Sequence, residues 1–288
     1  MDRSDLAERM KGYEKRNRYY LQRRMPVILR LDMRAGHSFT RGFERPFDEV
    51  FIKSMQDTAK YLCKNIQNCK LSYQQSDEIT LLLVDYDKLN TDCFFDYRVD
   101  KLCSIAASMA TMAFNKYFYD NVFVYNATAT VDLSDKKYPF KEVYSKAVDK
   151  GAMFDARCFN IPKEEVTNLV YWRQLDASRN SIQMVGQANF SHKELQNKSC
   201  NDIQDMLMTQ KGINWNDLPT YQKRGSCCIK IEENITENNS VEKMEFGENR
   251  KKIVVNIEHS HWIIDTDIPI FKGEGREYID RLVFVGEE

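Results

Sequence analysis

The sequence lacks several features that would assign it to a common class of protein. No CxxC pair occurs among its 8 cysteines, so we expect no zinc ribbon. No run of eighteen apolar residues is present, which argues against a membrane span. The N-terminal sequence MDRSDLAERM is charged throughout and contains no apolar segment, so we expect no secretory signal. Scattered cysteines then indicate reduced thiols, and we predict a cytoplasmic protein, with a mitochondrial location left open.

An excess of charge of either sign is also missing. The 288 residues include 42 Lys and Arg against 43 Asp and Glu, so the net charge gives no nucleic-acid signature and any basic surface has to be local. No internal repeat is visible, and the length allows one large domain or two closely packed ones. We predict a catalytic core over 1–190 and a C-terminal part over 191–288 that packs on it. Residues 232–250 are polar and poor in apolar side chains, which predicts a mobile loop.

Two carboxylates directly precede the most apolar predicted strand. Residues 79–84 are rich in β-forming side chains, and they follow Asp77 and Glu78. Carboxylates at the start of a buried strand are unfavourable unless cations compensate them. A second predicted strand, 26–32, ends on Asp32. A lone aspartate at a strand end is more often a cap or turn residue, but two of them at one sheet edge favour a divalent-metal site, and oxygen ligands suit Mg²⁺.

Two cationic segments are candidates for phosphate binding. The loop after the first predicted strand carries Arg34, His37, Arg41 and Arg45. Positive charge directly after a candidate acidic metal ligand suggests a phosphate-binding site, although arginines in loops are mostly exposed to solvent in any case. A helix predicted over 94–118 carries Arg98 and Lys101 in its first turns, where they either form an exposed cationic face or capture a triphosphate.

The predicted order of elements indicates an α+β fold. Strands are predicted over 26–32, 69–75, 78–84, 122–132, 153–160, 226–231, 253–257 and 261–264, and helices over 2–24, 49–66, 94–118 and from Pro162 to about 188, with one or two short helices in 191–211. Up to residue 188 the order suits an antiparallel sheet with helices on one face, a palm of ferredoxin-like type that carries a C-terminal helical and β extension. We interpret His259 and His261 as ordinary strand residues, because no third metal ligand is near in sequence.

Several short sequences occur in a fixed order between about residues 25 and 228. They are LRLDMR at 29–34, FERPFD at 43–48, YQQSDE at 73–78, WRQLD at 172–176, GINWNDLP at 212–219 and Arg224-Gly225. Together they resemble the tRNA(His) guanylyltransferase superfamily, enzymes of the polymerase/cyclase-like palm fold that add nucleotides to RNA 5′ ends in the 3′→5′ direction. Members specific for tRNA(His) carry a His-Ile-Asn-Asn stretch where this chain has Ser178-Arg179-Asn180-Ser181. The chain is therefore most similar to the Thg1-like protein branch, which repairs truncated tRNA 5′ ends by templated addition.

The resemblance implies a set of functional residues, cofactors and partners. It implies two Mg²⁺ ions held by Asp32 and Asp77, with Met33 at the position of a family glycine whose carbonyl helps to ligate the metal. Glu78 matches an acidic residue that supports the pocket, and we add it to the two aspartates as a candidate catalytic residue. The candidate nucleotide-binding residues are Arg34, His37, Arg45, Ser76, Arg98 and Lys101. ATP, GTP or other nucleoside triphosphates are the implied substrates, tRNA or another structured RNA the implied partner, no membrane is involved, and the implied assembly is a homotetramer.

We therefore predict a Mg²⁺-dependent nucleotidyltransferase that builds RNA towards its 5′ end. The 3′-hydroxyl of an incoming nucleoside triphosphate would attack the activated 5′ end, and pairing with the opposite strand would select the nucleotide, so the protein reads RNA backbone and shape. The alternatives are a tRNA(His)-specific guanylyltransferase that diverged at 178–181, a cyclase-like palm and an inactive RNA-binding module. The arginine-rich loop and the C-terminal sequence matches argue against the cyclase, and both aspartates with Lys101 argue against the inactive module.

Overall fold

A computed structural model describes residues 4–129, 140–234 and 258–286 of the chain. The strands are β1 (Val27–Met33), β2 (Cys69–Gln75), β3 (Glu78–Leu83), β4 (Phe154–Asn160), β5 (Ser226–Asn234) and β6 (Glu258–Asp265). The α-helices are α1 (Asp5–Lys15), α2 (Gly36–Phe39), α3 (Glu49–Asn65), α4 (Val99–Ala129), α5 (Lys141–Lys150), α6 (Lys163–Asn189), α7 (His192–Leu195), α8 (Cys200–Met206), α9 (Thr220–Arg224) and α10 (Glu277–Val283). Short 3-10 helices cover Phe94–Tyr97, Trp215–Asp217 and Gly273–Arg276, and Leu207–Lys211 forms a π-helical turn.

The strands form one 6-stranded sheet in the order β4-β1-β3-β2-β5-β6, and every neighbouring pair is antiparallel. In this register Asp32 of β1 pairs with Glu78 of β3 on one side and with Asp155 of β4 on the other. Carboxylates from neighbouring strands therefore meet at one end of the sheet. β5 and β6 continue the same sheet, and the division of the chain at residue 190 stays a prediction.

Both faces of the sheet are covered by helices. Leu29 and Leu31 of β1 belong to the core that includes α3 and α4, whereas Ile28 belongs to the core that includes Val166 and Val170 of α6, together with α10. Successive residues of a strand point to opposite faces, so an uninterrupted apolar strand requires a core on each side. The prediction that the helices lie on one face is wrong for this reason.

Most predicted elements are confirmed, although the helix predicted over 2–24 is shorter and ends at Lys15. The predicted bounds of α3, β2, β3, β4 and α6 agree with the structure to within one residue at each end. The strand predicted over 122–132 is wrong for residues 122–129, because Phe114, Phe118 and Val122 are buried at helical spacing and belong to α4, and residues 130–132 lie outside the described part of the chain. α2, α5, α9 and α10 were not predicted. Residues 232–234 of the predicted mobile loop belong to β5, and the rest of that loop and the predicted strand at 253–257 lie outside the described residues. None of the described helices is both long enough and apolar enough to span a bilayer.

Candidate active site

Two aspartates from separate parts of the sheet lie at the same edge. Asp32 is the next-to-last residue of β1, and Asp77 lies in the two-residue turn between β2 and β3. The backbone N–H of Met33 donates a hydrogen bond to the carbonyl oxygen of Asp77 at 3.1 Å, which joins the end of β1 to this turn. The structure therefore brings together the two aspartates that the sequence pattern singled out.

Burial and neighbouring negative charges disfavour the ionised form of both carboxyls. Burial is the largest cause of the raised pKa of both carboxyls, and the charges of Asp77, Glu78 and Asp155 raise the pKa of Asp32 further. The charge of Arg157 opposes this shift at Asp32. At Asp77, hydrogen bonds from its own backbone and from the side chain of Ser76 oppose it. A bound cation would favour the ionised form of both groups.

A glycine allows the backbone to pass directly against Asp77. A Cβ atom on Gly36 would lie 1.9 Å from Oδ2 of Asp77, far inside any acceptable contact. The preceding residue, Ala35, has a left-handed conformation with φ of 56°, and it positions the start of α2 at this point. The sequence analysis did not identify Gly36, although a glycine four residues after a candidate metal ligand is a signal that it could have used.

The available donors fit Mg²⁺. Among residues 4–129, 140–234 and 258–286, no group of three or more His, Cys, Asp or Glu side chains could hold a metal ion, so no complete protein cage is described there. Mg²⁺ commonly binds through one or two carboxylates and completes its shell with waters and substrate phosphates, so Asp32 and Asp77 suffice. The side chain of Met33 is buried in the core, so only its backbone carbonyl is a candidate metal ligand.

A cavity of about 380 Å³ opens beside Asp77, within the usual size range of small-molecule sites. Its lining comes from the loop after β1, the first residues of α3, the turn at 76–77 and the side chains of Met184 and Gln187 on α6. Of the predicted nucleotide-binding residues, His37, Arg45 and Ser76 line this cavity, and Arg41 adds a further cation. Arg34 is exposed and does not line it.

Arg98 and Lys101 lie away from the aspartates. Phe154, at the Asp32 end of β4, donates its backbone N–H to the hydroxyl of Thr111 on α4 at 3.1 Å. Lys101 precedes Thr111 by ten residues, which corresponds to about 15 Å along the helix axis. The guanidinium of Arg98 forms a bidentate pair with Asp100, with both hydrogen bonds at 2.7 Å. Within one chain the structure therefore does not bring Arg98 and Lys101 to the cavity.

Glu78 is held by two arginines. Arg30 donates from Nη2 to Oε2 at 2.7 Å, and Arg173 donates to both carboxylate oxygens at 2.9 Å. Arg173 also contacts Asp176 at 3.1 Å, and the residue is only 7% exposed. Because both oxygens of Glu78 are occupied, the geometry favours a positioning role for this residue, and its predicted catalytic role stays a prediction. The pairing with Arg173 could not be read from sequence, since the two residues are far apart in the chain.

The stretch that departs from the tRNA(His)-specific family members lies on α6. Ser181 is buried, and its hydroxyl accepts a hydrogen bond from Nε1 of Trp215 at 3.0 Å. Ser178 donates to the carbonyl of Gln174 one turn earlier in the helix. Arg179 is exposed and pairs with Asp176. The two serines therefore make contacts within the protein, and Ser181 supports the loop that contains the GINWNDLP sequence.

The sequence matches that suggested the family meet in space. The hydroxyl of Tyr73 donates to the carbonyl oxygen of Arg224 at 2.5 Å. Gly225 has a φ of 83°, and a Cβ atom there would lie 2.4 Å from the carbonyl oxygen of Gln74. The side chain of Gln174 binds the backbone of Pro269 and Phe271. Segments from β2, α6 and the C-terminal part thus pack around the same end of the sheet.

Comparison with known proteins is consistent with this geometry. A family model described as tRNA(His) guanylyltransferase matches residues 7–162. A solved bacterial tRNA(His) guanylyltransferase (Thg1)-like protein in complex with ATP is 40% identical, with a TM-score of 0.74, and the match covers 98% of this chain and 100% of that one. A complex of such a protein with GTP is 35% identical, with a TM-score of 0.73 and the same coverage. The tRNA(His) guanylyltransferase of Saccharomyces cerevisiae is 27% identical over 214 residues, 69% of this chain and 80% of the yeast protein.

Proposed function

The chain belongs to the tRNA(His) guanylyltransferase family of 3′–5′ nucleotidyltransferases, and we propose that within it the protein repairs 5′-truncated tRNA by template-dependent addition. The observation that carries the proposal is the pair Asp32 and Asp77 at one end of the sheet, where Asp77 lines a cavity that His37, Arg41 and Arg45 also line. ATP, GTP and other nucleoside triphosphates are the proposed substrates, and Mg²⁺ is the proposed metal. The similarity to bacterial Thg1-like proteins bound to ATP and GTP supports the choice of substrates.

Each group of residues has a distinct proposed task. Asp32 and Asp77, with the carbonyl of Met33, would hold the metal. When bound, Mg²⁺ lowers the pKa of the attacking hydroxyl and stabilises the negative charge that develops on the leaving group. His37, Arg41 and Arg45 would bind phosphate oxygens through charge-assisted hydrogen bonds, and the hydroxyl of Ser76 would add a neutral one. Arg34 does not line the cavity, and it would contact a part of a longer substrate that lies outside the cavity.

Glu78 and its arginines hold the turn that carries Asp77. Glu78 is the first residue of β3 and directly follows Asp77, so its pairs with Arg30 and Arg173 tie that end of the strand to β1 and α6. Fixing Asp77 in this way preorganises one metal ligand before substrate binds. This task requires neither contact with substrate nor proton transfer by Glu78.

Repair is favoured over tRNA(His) maturation by the contacts of the stretch 178–181. Ser181 is engaged with Trp215, and Ser178 is engaged with the backbone of its own helix. Arg179 remains exposed, and an arginine that meets phosphate positions an RNA without specifying its sequence. Selection of the added nucleotide would then come from pairing with the template base. The homotetramer implied by the family resemblance is part of this proposal.

A nucleotide-addition assay tests the reaction directly. Transcripts of several tRNAs that lack their first nucleotide are supplied with one nucleoside triphosphate at a time, and the opposing base is either cytosine or adenine. We expect extension of all the tRNAs, with GTP preferred opposite cytosine and UTP opposite adenine. Extension of tRNA(His) alone, with GTP used whatever base lies opposite, would instead establish the tRNA(His)-specific alternative.

A further inference from the structure

Trp172 exposes 54% of its surface on α6, although tryptophan gains more than most side chains from burial. The guanidinium carbons of Arg173 and Arg30 lie 4.8 and 5.9 Å from the centre of its ring. An exposed aromatic ring flanked by arginines is the arrangement with which proteins stack the bases of single-stranded nucleic acid. The core packing of α6 does not account for Trp172, because Val166 and Val170 supply the buried face of the helix at this level.

Both flanking cations are fixed by the carboxylate of Glu78. Arg173 is almost fully buried and binds Glu78 and Asp176 together. Arg30 donates to Oε2 of the same carboxylate at 2.7 Å. The ring therefore lies against a rigid support, and a planar ligand that stacks on it meets a surface that is already ordered.

Trp172 lies near the two aspartates but does not line the cavity. Arg30 and Asp32 are alternate residues of β1, so they point to the same face of the sheet. Glu78, which holds both arginines, pairs with Asp32 in the register of β1 and β3. Trp172 is not among the residues that line the cavity beside Asp77. The ring is thus placed beside the predicted metal site on a surface that the cavity does not use.

We propose that Trp172 is a stacking platform for a nucleobase next to the reacting 5′ end, and this inference rests on the proposed function. The base belongs either to the incoming nucleotide or to the terminal residue of the RNA. Every base has an aromatic face, so such a contact adds affinity without discriminating between bases. That property suits an enzyme in which template pairing chooses the nucleotide, because a base-specific pocket would oppose the template.

Tryptophan fluorescence tests the contact without requiring nucleotide addition. The chain has 3 tryptophans; Trp215 is buried and Trp262 is partly buried, which makes Trp172 the most exposed of them. Full-length protein is titrated with GTP, with inorganic triphosphate, and with 5′-truncated tRNA whose terminal nucleotide is either intact or abasic. GTP and inorganic triphosphate form one pair of probes, and the intact and abasic tRNAs form the other. In one of these pairs, we expect the probe that carries the base to quench the tryptophan fluorescence and the probe without it to have little effect. This quenching should be lost in Trp172→Phe. The pair that responds identifies the source of the base.

Kinetic measurements on two variants separate the effect of aromatic stacking from the effect of side-chain size. Trp172→Leu should raise the KM for the substrate that quenches by about tenfold, with kcat changed less than about twofold, since stacking on one base is of that size. Trp172→Phe, which keeps an aromatic ring, should stay within about threefold of the wild type, and Tyr119→Leu on α4 serves as an exposed-aromatic control. Absence of quenching, equal quenching by the base-free probes, or quenching retained in Trp172→Phe overturns the inference. Quenching that follows the expected pattern in a protein that extends no RNA overturns the proposed function and leaves the stacking site standing.

Discussion

Arg173 donates two parallel hydrogen bonds to Glu78, from Nε to Oε1 and from Nη2 to Oε2, each at 2.9 Å. Arg30 adds a third at 2.7 Å, so one buried carboxylate compensates two arginines. The three residues come from β1, β3 and α6, and the interaction joins these elements beside the two aspartates. Its arrangement gives Glu78 a structural task that is separable from catalysis.

Replacing Glu78 by glutamine should destabilise the fold. Glu78→Gln keeps the shape of the side chain but leaves Arg30 without a compensating charge and Arg173 with that of Asp176 alone, and breaking a buried ion pair in this way costs about 3 kcal/mol. The free energy of unfolding from urea titration measures the loss. Glu142→Gln, which removes an exposed carboxylate paired with Lys146, is the matched control and should leave the midpoint unchanged. Equal urea-unfolding midpoints for the two variants would contradict the structural role assigned to Glu78.

Replacing Asp77 by asparagine should abolish activity without weakening the metal-free protein. Loss of a metal ligand lowers the addition rate by roughly a thousandfold or more. Burial raises the pKa of Asp77 above its ordinary value, so its ionisation destabilises the fold. This penalty is absent below about pH 4, where the carboxyl is protonated in both states, and it grows as the pH rises through the raised pKa. At pH 7 without metal, Asp77→Asn should therefore unfold at the same temperature as the wild type or higher.

Thermal unfolding with and without Mg²⁺ checks this prediction. Mg²⁺ should raise the unfolding temperature of the wild type and have little effect on Asp77→Asn, because a ligand stabilises only the state that binds it. Asp155→Asn removes an exposed carboxylate near Asp32 and should keep both activity and the Mg²⁺ effect. A near-normal addition rate in Asp77→Asn would place the metal site elsewhere.

Ser181→Ala should reduce stability without changing which nucleotide is added. The substitution leaves Nε1 of the buried Trp215 without its acceptor, which costs about 1–3 kcal/mol. Urea unfolding measures the loss, and the ratio of GTP to UTP addition opposite each template base measures selection. Ser178→Ala, on the same helix, removes only a local bond to the backbone and is the control. A changed nucleotide preference in Ser181→Ala would show that this stretch takes part in readout.

Lys101→Ala tests the predicted triphosphate role of a residue that the structure places away from the cavity. If a second chain or a long substrate brings a triphosphate to α4, the variant should need a higher nucleotide concentration while its affinity for tRNA stays the same. KM for the nucleotide and Kd for truncated tRNA separate the two. Lys116→Ala, on the same helix, is a comparison that should change neither value. Unchanged nucleotide dependence with weaker tRNA binding would assign Lys101 to the RNA.

Local signals in the sequence were sufficient for the elements that frame the site. Asp48 directly precedes the helix predicted over 49–66, and its carboxylate accepts the backbone N–H of Phe51 at 2.8 Å, as an N-cap residue does. The apolar run that starts at Ile79 forms β3, and the Asp77 that precedes it lies where the sheet edge was predicted. These features depend on neighbouring residues alone, so pattern and capping chemistry determine them.

Long-range features could not be predicted in the same way. Glu78 and Arg173 meet only because α6 crosses the sheet, and nothing near either residue in sequence indicates the other. The positions of Arg98 and Lys101 depend on where α4 begins relative to β4. α4 also extends to Ala129, although Val122 and the residues after it have a composition that favours strands, because packing against the aromatic core overrides local propensity.

The order of the strands has a consequence for how this protein can be shortened. The residues that match the family model end at 162, and they supply β1 to β4 but neither β5 nor β6. In a chain cut there, β2 becomes an outer strand, and its unpaired backbone groups between Leu71 and Gln74 are open to pairing with another molecule. Such a fragment would keep both aspartates and still aggregate, so the smallest soluble catalytic unit has to include the strands from the far end of the chain.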